Sequence, residues 1–243
     1  MSYIENPKTK GSGIVACIPQ KGLCPNGCED CFFQSGRSYL EPLDKNLPNM
    51  PLKHTTEGRL VRVNDGNDSA WESDKVIKRT RKYDMKFYNT SDLNGVGCFN
   101  APVVVTINPS SLTDETFMAF DTRYSKMRDN LMFVRVRTNT WNLDKVVRPA
   151  VKFWSEQSIP VVLTFMAYYE QKPMMGIDYV FRKRTLNSYW AITTAAWMKI
   201  MDEFRLNKWV SSCGKIEGEL GTTSCRFCGN CLREYFATME RMR

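Results

Sequence analysis

The chain has a single histidine, His54, among 243 residues. A structural zinc site needs four closed ligands, usually as two Cys or His pairs, so any metal site here must rest mainly on ligands other than histidine. No run approaches the roughly 18 consecutive apolar residues needed to span a bilayer. The opening segment, MSYIENPKTKGSG, carries no apolar stretch of the secretory type. These absences predict a cytoplasmic protein without membrane attachment. There is also no internal repeat of fixed period and no low-complexity tract, so repeat architectures and biased disorder are set aside.

What is present fits a folded protein: 42% hydrophobic residues, with six Trp, ten Tyr and thirteen Phe. That is enough for one substantial core and a small appendage. Nine cysteines are an odd number, and seven of them fall into two tight groups. In a reducing compartment such grouping favours metal or redox chemistry over a disulfide framework. The formal net charge of +8 comes from scattered segments, KVIKRTRK (75–82), FRKR (181–184) and the closing ERMR. Such runs suit an anionic or nucleic-acid partner, and equally a set of solvated helix faces.

Six segments have the apolar, branched look of buried strands: GIVACI (13–18), RLVRVN (59–64), MKFYNT (85–90), PVVVTIN (102–108), LMFVRVR (131–137) and PVVLTFMAY (160–168). Helical composition between them predicts helices over 71–83, 113–126, 143–155 and 186–204. Asp68 or Ser69 is placed to cap the first helix and Ser111 the second. This alternation predicts an α/β fold with an open parallel sheet or partial barrel, whose ligands sit at the carboxyl ends of the strands. Polar residues collect there, in NDGNDS, NTS, NPSS and RTNT. The Pro-rich stretch 34–57 reads as a loop, and the rhythm changes to a Cys-rich module from about residue 207. Residues 1–206 and 207–243 are thus expected as two units.

Cys24, Cys28 and Cys31, in CPNGCEDCFF directly after the first strand, are spaced C-x3-C-x2-C. A closed zinc site needs four ligands, so three thiolates leave a metal position open. Three thiolates on a tight loop suit a [4Fe-4S] cluster with one iron left for an outside ligand; a zinc or redox-thiol site is the alternative. Pro25 and Gly27 suit a loop that wraps closely around such a group.

This stretch resembles the radical S-adenosylmethionine (SAM) superfamily, and the resemblance covers about residues 13–206. It implies a partial (β/α)6 TIM-like barrel, with Cys24, Cys28 and Cys31 on a cluster whose fourth iron is chelated by SAM. It further implies reductive SAM cleavage to a 5′-deoxyadenosyl radical that abstracts hydrogen from a substrate. Phe32 and Phe33 follow the third cysteine, an arrangement similar to the activating enzymes of anaerobic ribonucleotide reductase. The family's glycine-rich acidic motif is absent as such; VNDGND (63–68) stands in its place, offering Asn64, Asp65, Gly66 and Asp68. By the same resemblance Asn89, Ser91, Asn108 and Arg137 are contacts for the ribose and carboxylate of SAM. Flavodoxin or ferredoxin is the implied electron donor.

Cys225, Cys228 and Cys231 form C-x2-C-x2-C, with Cys213 upstream as a fourth ligand. That is the spacing of ferredoxin cluster loops. It resembles the auxiliary-cluster extensions of radical SAM enzymes, including the SPASM and twitch types, although the spacings differ from both. A second [4Fe-4S] cluster is expected, with a four-cysteine zinc knuckle as the alternative. Cys17 and Cys98 read as small buried residues.

The substrate is open. Positive charge, and Trp141, Tyr168 and Tyr169 near the expected mouth, suit an anionic or macromolecular substrate, peptide or nucleic acid. The competing reading is a four-cysteine zinc-binding nucleic-acid module.

Overall fold

The six apolar runs form six parallel strands, because residues of this kind are stable only when both faces of the sheet are covered. In the computed structural model, which describes residues 2–28, 31, 33, 38–108, 129–172, 174–184, 188–213 and 225–243, they are β1 (Ile14–Cys17), β2 (Leu60–Val63), β3 (Lys86–Thr90), β4 (Val103–Ile107), β5 (Leu131–Thr138) and β6 (Val161–Phe165). The expected helix at 113–126 and the cap Ser111 lie outside the described residues.

Two short strands beyond β6, β7 (Tyr179–Arg182) and β8 (Tyr189–Ile192), pair antiparallel. Residues 189–192 were expected as helix. The tyrosine, tryptophan and isoleucine there instead pair across to β7, and the helix begins only at Thr194, where the Thr193 side chain accepts from the Ala196 amide. A further strand, β9 (Val210–Ser212), pairs parallel with β6. The sheet order β1-β2-β3-β4-β5-β6-β9 follows the chain without reversal, and the seven parallel strands curl into a half-barrel.

Successive strand residues point to opposite faces. On the convex side Val61, Val63, Val103, Val105, Ile107, Val134, Val136, Val161 and Leu163 pack against helices α1 (Ser73–Thr80), α2 (Arg148–Glu156) and α3 (Thr194–Glu203), with Val76, Trp154 and Ile200 buried at the contacts. A π-turn over Leu143–Val147 leads directly into α2. Asp68 and Ser69 do not cap α1; Glu72, in a left-handed conformation, stands at that position without a side-chain cap bond, its carboxylate pairing with Lys75.

The concave side is apolar at the amino ends of the strands, where Leu60, Phe87, Val104, Phe133 and Val162 meet Leu232, Tyr235 and Met239 of α4 (Asn230–Arg241). The Cys-rich end of the chain is thus built into the half-barrel: β9 extends its sheet, and α4 covers its floor. Among the described residues no helix is long and apolar enough to cross a membrane.

Candidate functional site

Above that apolar floor the concave face turns polar. Arg62 on β2, Asn89 on β3, Thr106 on β4 and Arg135 on β5 share the strand parity of the floor residues. Arg135 Nη1 donates to Asn89 Oδ1 at 3.2 Å and to Thr106 Oγ1 at 3.5 Å. Nearer the carboxyl ends, Arg137 Nη1 donates to Asn108 Oδ1 at 3.1 Å, and Asn108 Nδ2 donates to Cys28 Sγ at 3.4 Å.

The loop carrying Cys24 and Cys28 is tied down on both sides. Gln20, buried, donates through Nε2 to the carbonyls of Asp68 and Trp71, both at 2.7 Å. Asn26 donates to Asp68 Oδ2 at 2.8 Å and to Ser91 Oγ at 2.7 Å. The chain turns at Gly27 with φ +53, a left-handed conformation that glycine adopts without strain. The Cys31 amide bonds the Cys28 carbonyl at 3.2 Å.

Burial pushes the Cys24 thiol up to about 11, and the charges of Asp68, Cys28 and Cys31 add to the rise. Burial also raises Cys28, as does Cys31, while Arg137 works in the opposite direction. The three sulfurs therefore feel one another, and a bound cation would reverse both their desolvation and their mutual repulsion. Among the described residues no group of three or more His, Cys, Asp or Glu side chains is arranged so as to hold a metal ion. The donor set, three thiols on one short loop with an amide donor on one sulfur and an arginine behind it, fits a thiolate-bound cluster.

The expected SAM contacts are distributed unevenly. Asp65 is engaged by Arg62, at 2.6 Å from Nη2, and by the Asn6 amide. Asp68 accepts from the Ala70 amide, Thr90 Oγ1, and both the amide and hydroxyl of Ser91 as well as from Asn26. Ser91 is thereby consumed in the same clamp. Asn89 donates to the Val63 carbonyl at 2.8 Å and accepts from Arg135. Gly66 is the point where the Phe33 ring lies on the backbone, since a Cβ there would fall 2.1 Å from that ring. Asn64, with φ +60, donates to Ser69 Oγ at 3.0 Å, and its buried Oδ1 has no partner among the described residues. Phe32 lies outside the described residues.

The second cysteine group gathers where the end of the sheet meets α4. The Cys213 amide bonds the Leu163 carbonyl at 2.8 Å, the Cys225 amide bonds the Lys8 carbonyl at 3.3 Å, and Cys228 Sγ lies 3.9 Å from the Ser212 carbonyl. Gly229, in the left-handed region, separates the short helix Cys225–Cys228 from α4. Burial pushes the Cys231 thiol up to about 12; Arg62 and Arg135 oppose this, and Cys213 and Cys225 add to it. Cys213, Cys225 and Cys231 thus share surroundings with two interior arginines. Residues 214–224 between them lie outside the described residues.

Two expectations are corrected. Cys17 is buried as expected, but Cys98 is exposed. Tyr168 is 2% exposed, packs its ring 5.1 Å from Trp141 and 5.9 Å from Tyr179, and accepts from Asn139 through its hydroxyl. It is a core residue with no face free for stacking. Sequence reading also passed over Arg62, Arg135, Asn26 and Gln20. A signal for the two arginines was present, since each interrupts an otherwise apolar strand.

No protein-family model, curated protein or solved structure matches the chain.

Proposed function

We propose that this protein is a radical SAM iron-sulfur enzyme, cytoplasmic, on a partial (β/α)6 barrel of TIM type. The observation that carries this reading is the placement of the Cys24–Cys28–Cys31 loop at the carboxyl end of the first strand of a sequentially ordered parallel half-barrel, with Asn108 donating to Cys28 and Arg137 to Asn108. Cys24, Cys28 and Cys31 would hold three irons of a [4Fe-4S] cluster, and Cys213, Cys225, Cys228 and Cys231 a second cluster. The first cluster, with SAM bound, would supply one-electron cleavage of the cofactor and so a radical for hydrogen abstraction.

The chain's own residues position and shield. Asn26, Asp68 and Ser91 fix the cysteine loop against the ends of β2 and β3. Phe33, packed on Gly66 and grouped with Ile18, Leu40, Leu43 and Leu47, keeps water from one side of the loop. Of the polar residues at VNDGND, Asn64 has spare acceptor capacity, and its Oδ1 suits the ammonium of SAM. Asp65 and Asp68 are already committed to Arg62 and to the loop clamp. The net charge of +8 suits an anionic or macromolecular substrate, and flavodoxin or ferredoxin suits the role of electron donor.

The test is anaerobic reconstitution followed by iron, sulfide and zinc analysis and an assay for 5′-deoxyadenosine with dithionite and SAM. About eight irons per chain, with product formed and abolished by Cys28→Ala, is the expected result. Stoichiometric zinc with no SAM cleavage overturns the reading and favours the zinc nucleic-acid module.

A further inference from the structure

Arg62 is the most confined cation described in this protein. It sits in the middle of β2 on the concave side, 8% exposed, and belongs to none of the elements that carry the second cysteine group. Yet its Nη1 lies 4.0 Å from Cys225 Sγ, across 163 residues of sequence. Its Nη2 meets Asp65 at 2.6 Å, and its Nε is buried with no hydrogen-bond partner among the described residues.

A buried arginine with one carboxylate and an unused donor is incompletely satisfied, and interiors rarely leave such a group so. Asp65 supplies one negative charge, which Asn6 also engages. The surroundings therefore call for negative charge beyond Asp65. Arg135, on the same concave face of the sheet, is held by Asn89 and Thr106.

We propose that Arg62 is the buried counter-cation of the second cysteine group and sets the reduction potential of the cluster those thiolates hold. This rests on the two-cluster reading above. Reduction adds an electron to an already anionic thiolate cluster, and a fixed buried cation beside it favours the reduced form and raises the potential. Arg62 acts on the cluster by charge and as a donor toward its sulfurs. It is a positioning residue, since it touches neither SAM nor substrate.

The experiment isolates the second group in the full-length chain carrying Cys24→Ala, Cys28→Ala and Cys31→Ala. Its cluster is titrated electrochemically and followed by electron paramagnetic resonance. Three further changes are compared in that background: Arg62→Lys, Asp65→Asn, and Arg62→Met combined with Asp65→Asn. The combined change removes arginine and carboxylate together, so that no buried charge is left unpaired. Relative to Asp65→Asn, it is expected to lower the reduction equilibrium constant at least tenfold, 59 mV for one electron. Arg62→Lys keeps the charge and retains most of the potential. Iron bound with an unchanged potential in the combined variant overturns this inference alone. A parent background that binds no iron instead of about four per chain, or zinc in place of iron, overturns the second-cluster reading and this inference with it.

Discussion

Arg135 and Arg137 stand on the same face of β5, two positions apart, and each serves a different cysteine group. Arg137 bonds Asn108 and favours the Cys28 thiolate; Arg135 bonds Asn89 and favours the Cys231 thiolate. Two residues of strand rise about 7 Å. One strand therefore aligns the fields acting on both groups along the inside of the half-barrel.

Asn108→Leu removes the donor to Cys28 Sγ and the acceptor for Arg137. Groups that orient metal ligands are commonly worth 10–100-fold in activity. The variant is expected to keep its iron but form 5′-deoxyadenosine about 10–100-fold more slowly, measured as the initial rate after dithionite addition. An unchanged rate would remove Asn108 from the site.

Asp68, 4% exposed, gathers five donors from three separate segments. Asp68→Ala leaves those donors without a carboxylate, and each charged hydrogen bond is worth about 1.5–3 kcal/mol. Urea unfolding should show a loss of at least about 3 kcal/mol, with weakened iron retention because Asn26 no longer holds the cysteine loop. A loss below about 1 kcal/mol would mean that water replaces the clamp.

Gly66→Ala places a methyl where the Phe33 ring already lies. Overpacking of this kind costs about 1–3 kcal/mol. Shrinking the ring with Phe33→Leu should recover part of that loss, so the double variant is expected to be more stable than Gly66→Ala alone. Strict additivity of the two changes would show that they do not meet.

Burial holds the phenols of Tyr39, Tyr83, Tyr88, Tyr179 and Tyr235 above the ordinary tyrosine range. Below about pH 10 they are neutral in both folded and unfolded chains, so their titration costs nothing. Above it the unfolded chain ionises first, and stability falls as pH rises toward the folded values. Tyrosinate absorbance should therefore appear together with loss of circular dichroism in one alkaline transition. Full ionisation while the fold persists would contradict the burial.

The sheet was legible because its six principal strands are apolar runs long enough to be distinctive. β9 was not, since Val210, Ser211 and Ser212 offer a single apolar residue and gain strand character only by pairing with Val161, Val162 and Leu163. The hairpin of β7 and β8 was hidden because Tyr189–Ile192 runs into the helix-forming Thr194–Glu203 without a break in composition. In the site, the three-cysteine loop could be read from spacing alone. The role of Asp68 could not: a carboxylate just before a helical run suggests a cap, whereas its partners Asn26, Thr90 and Ser91 arrive from other loops. Arg62 and Arg135 were visible as interruptions in apolar strands, but only the fold reveals that both face inward toward cysteines from the far end of the chain.

The apolar floor of Leu60, Phe87, Val104, Phe133 and Val162 has one more implication. Its cover, α4, is made after every strand of the sheet, with Arg241 reaching back to the Leu131 carbonyl at 2.9 Å. At translation rates of about 5–20 residues per second, the ribosome exposes this greasy surface for several seconds after β6 has emerged. Lid and second set of thiols then arrive together, so drying of the interior and the gathering of those thiols belong to the same late event in the birth of the molecule.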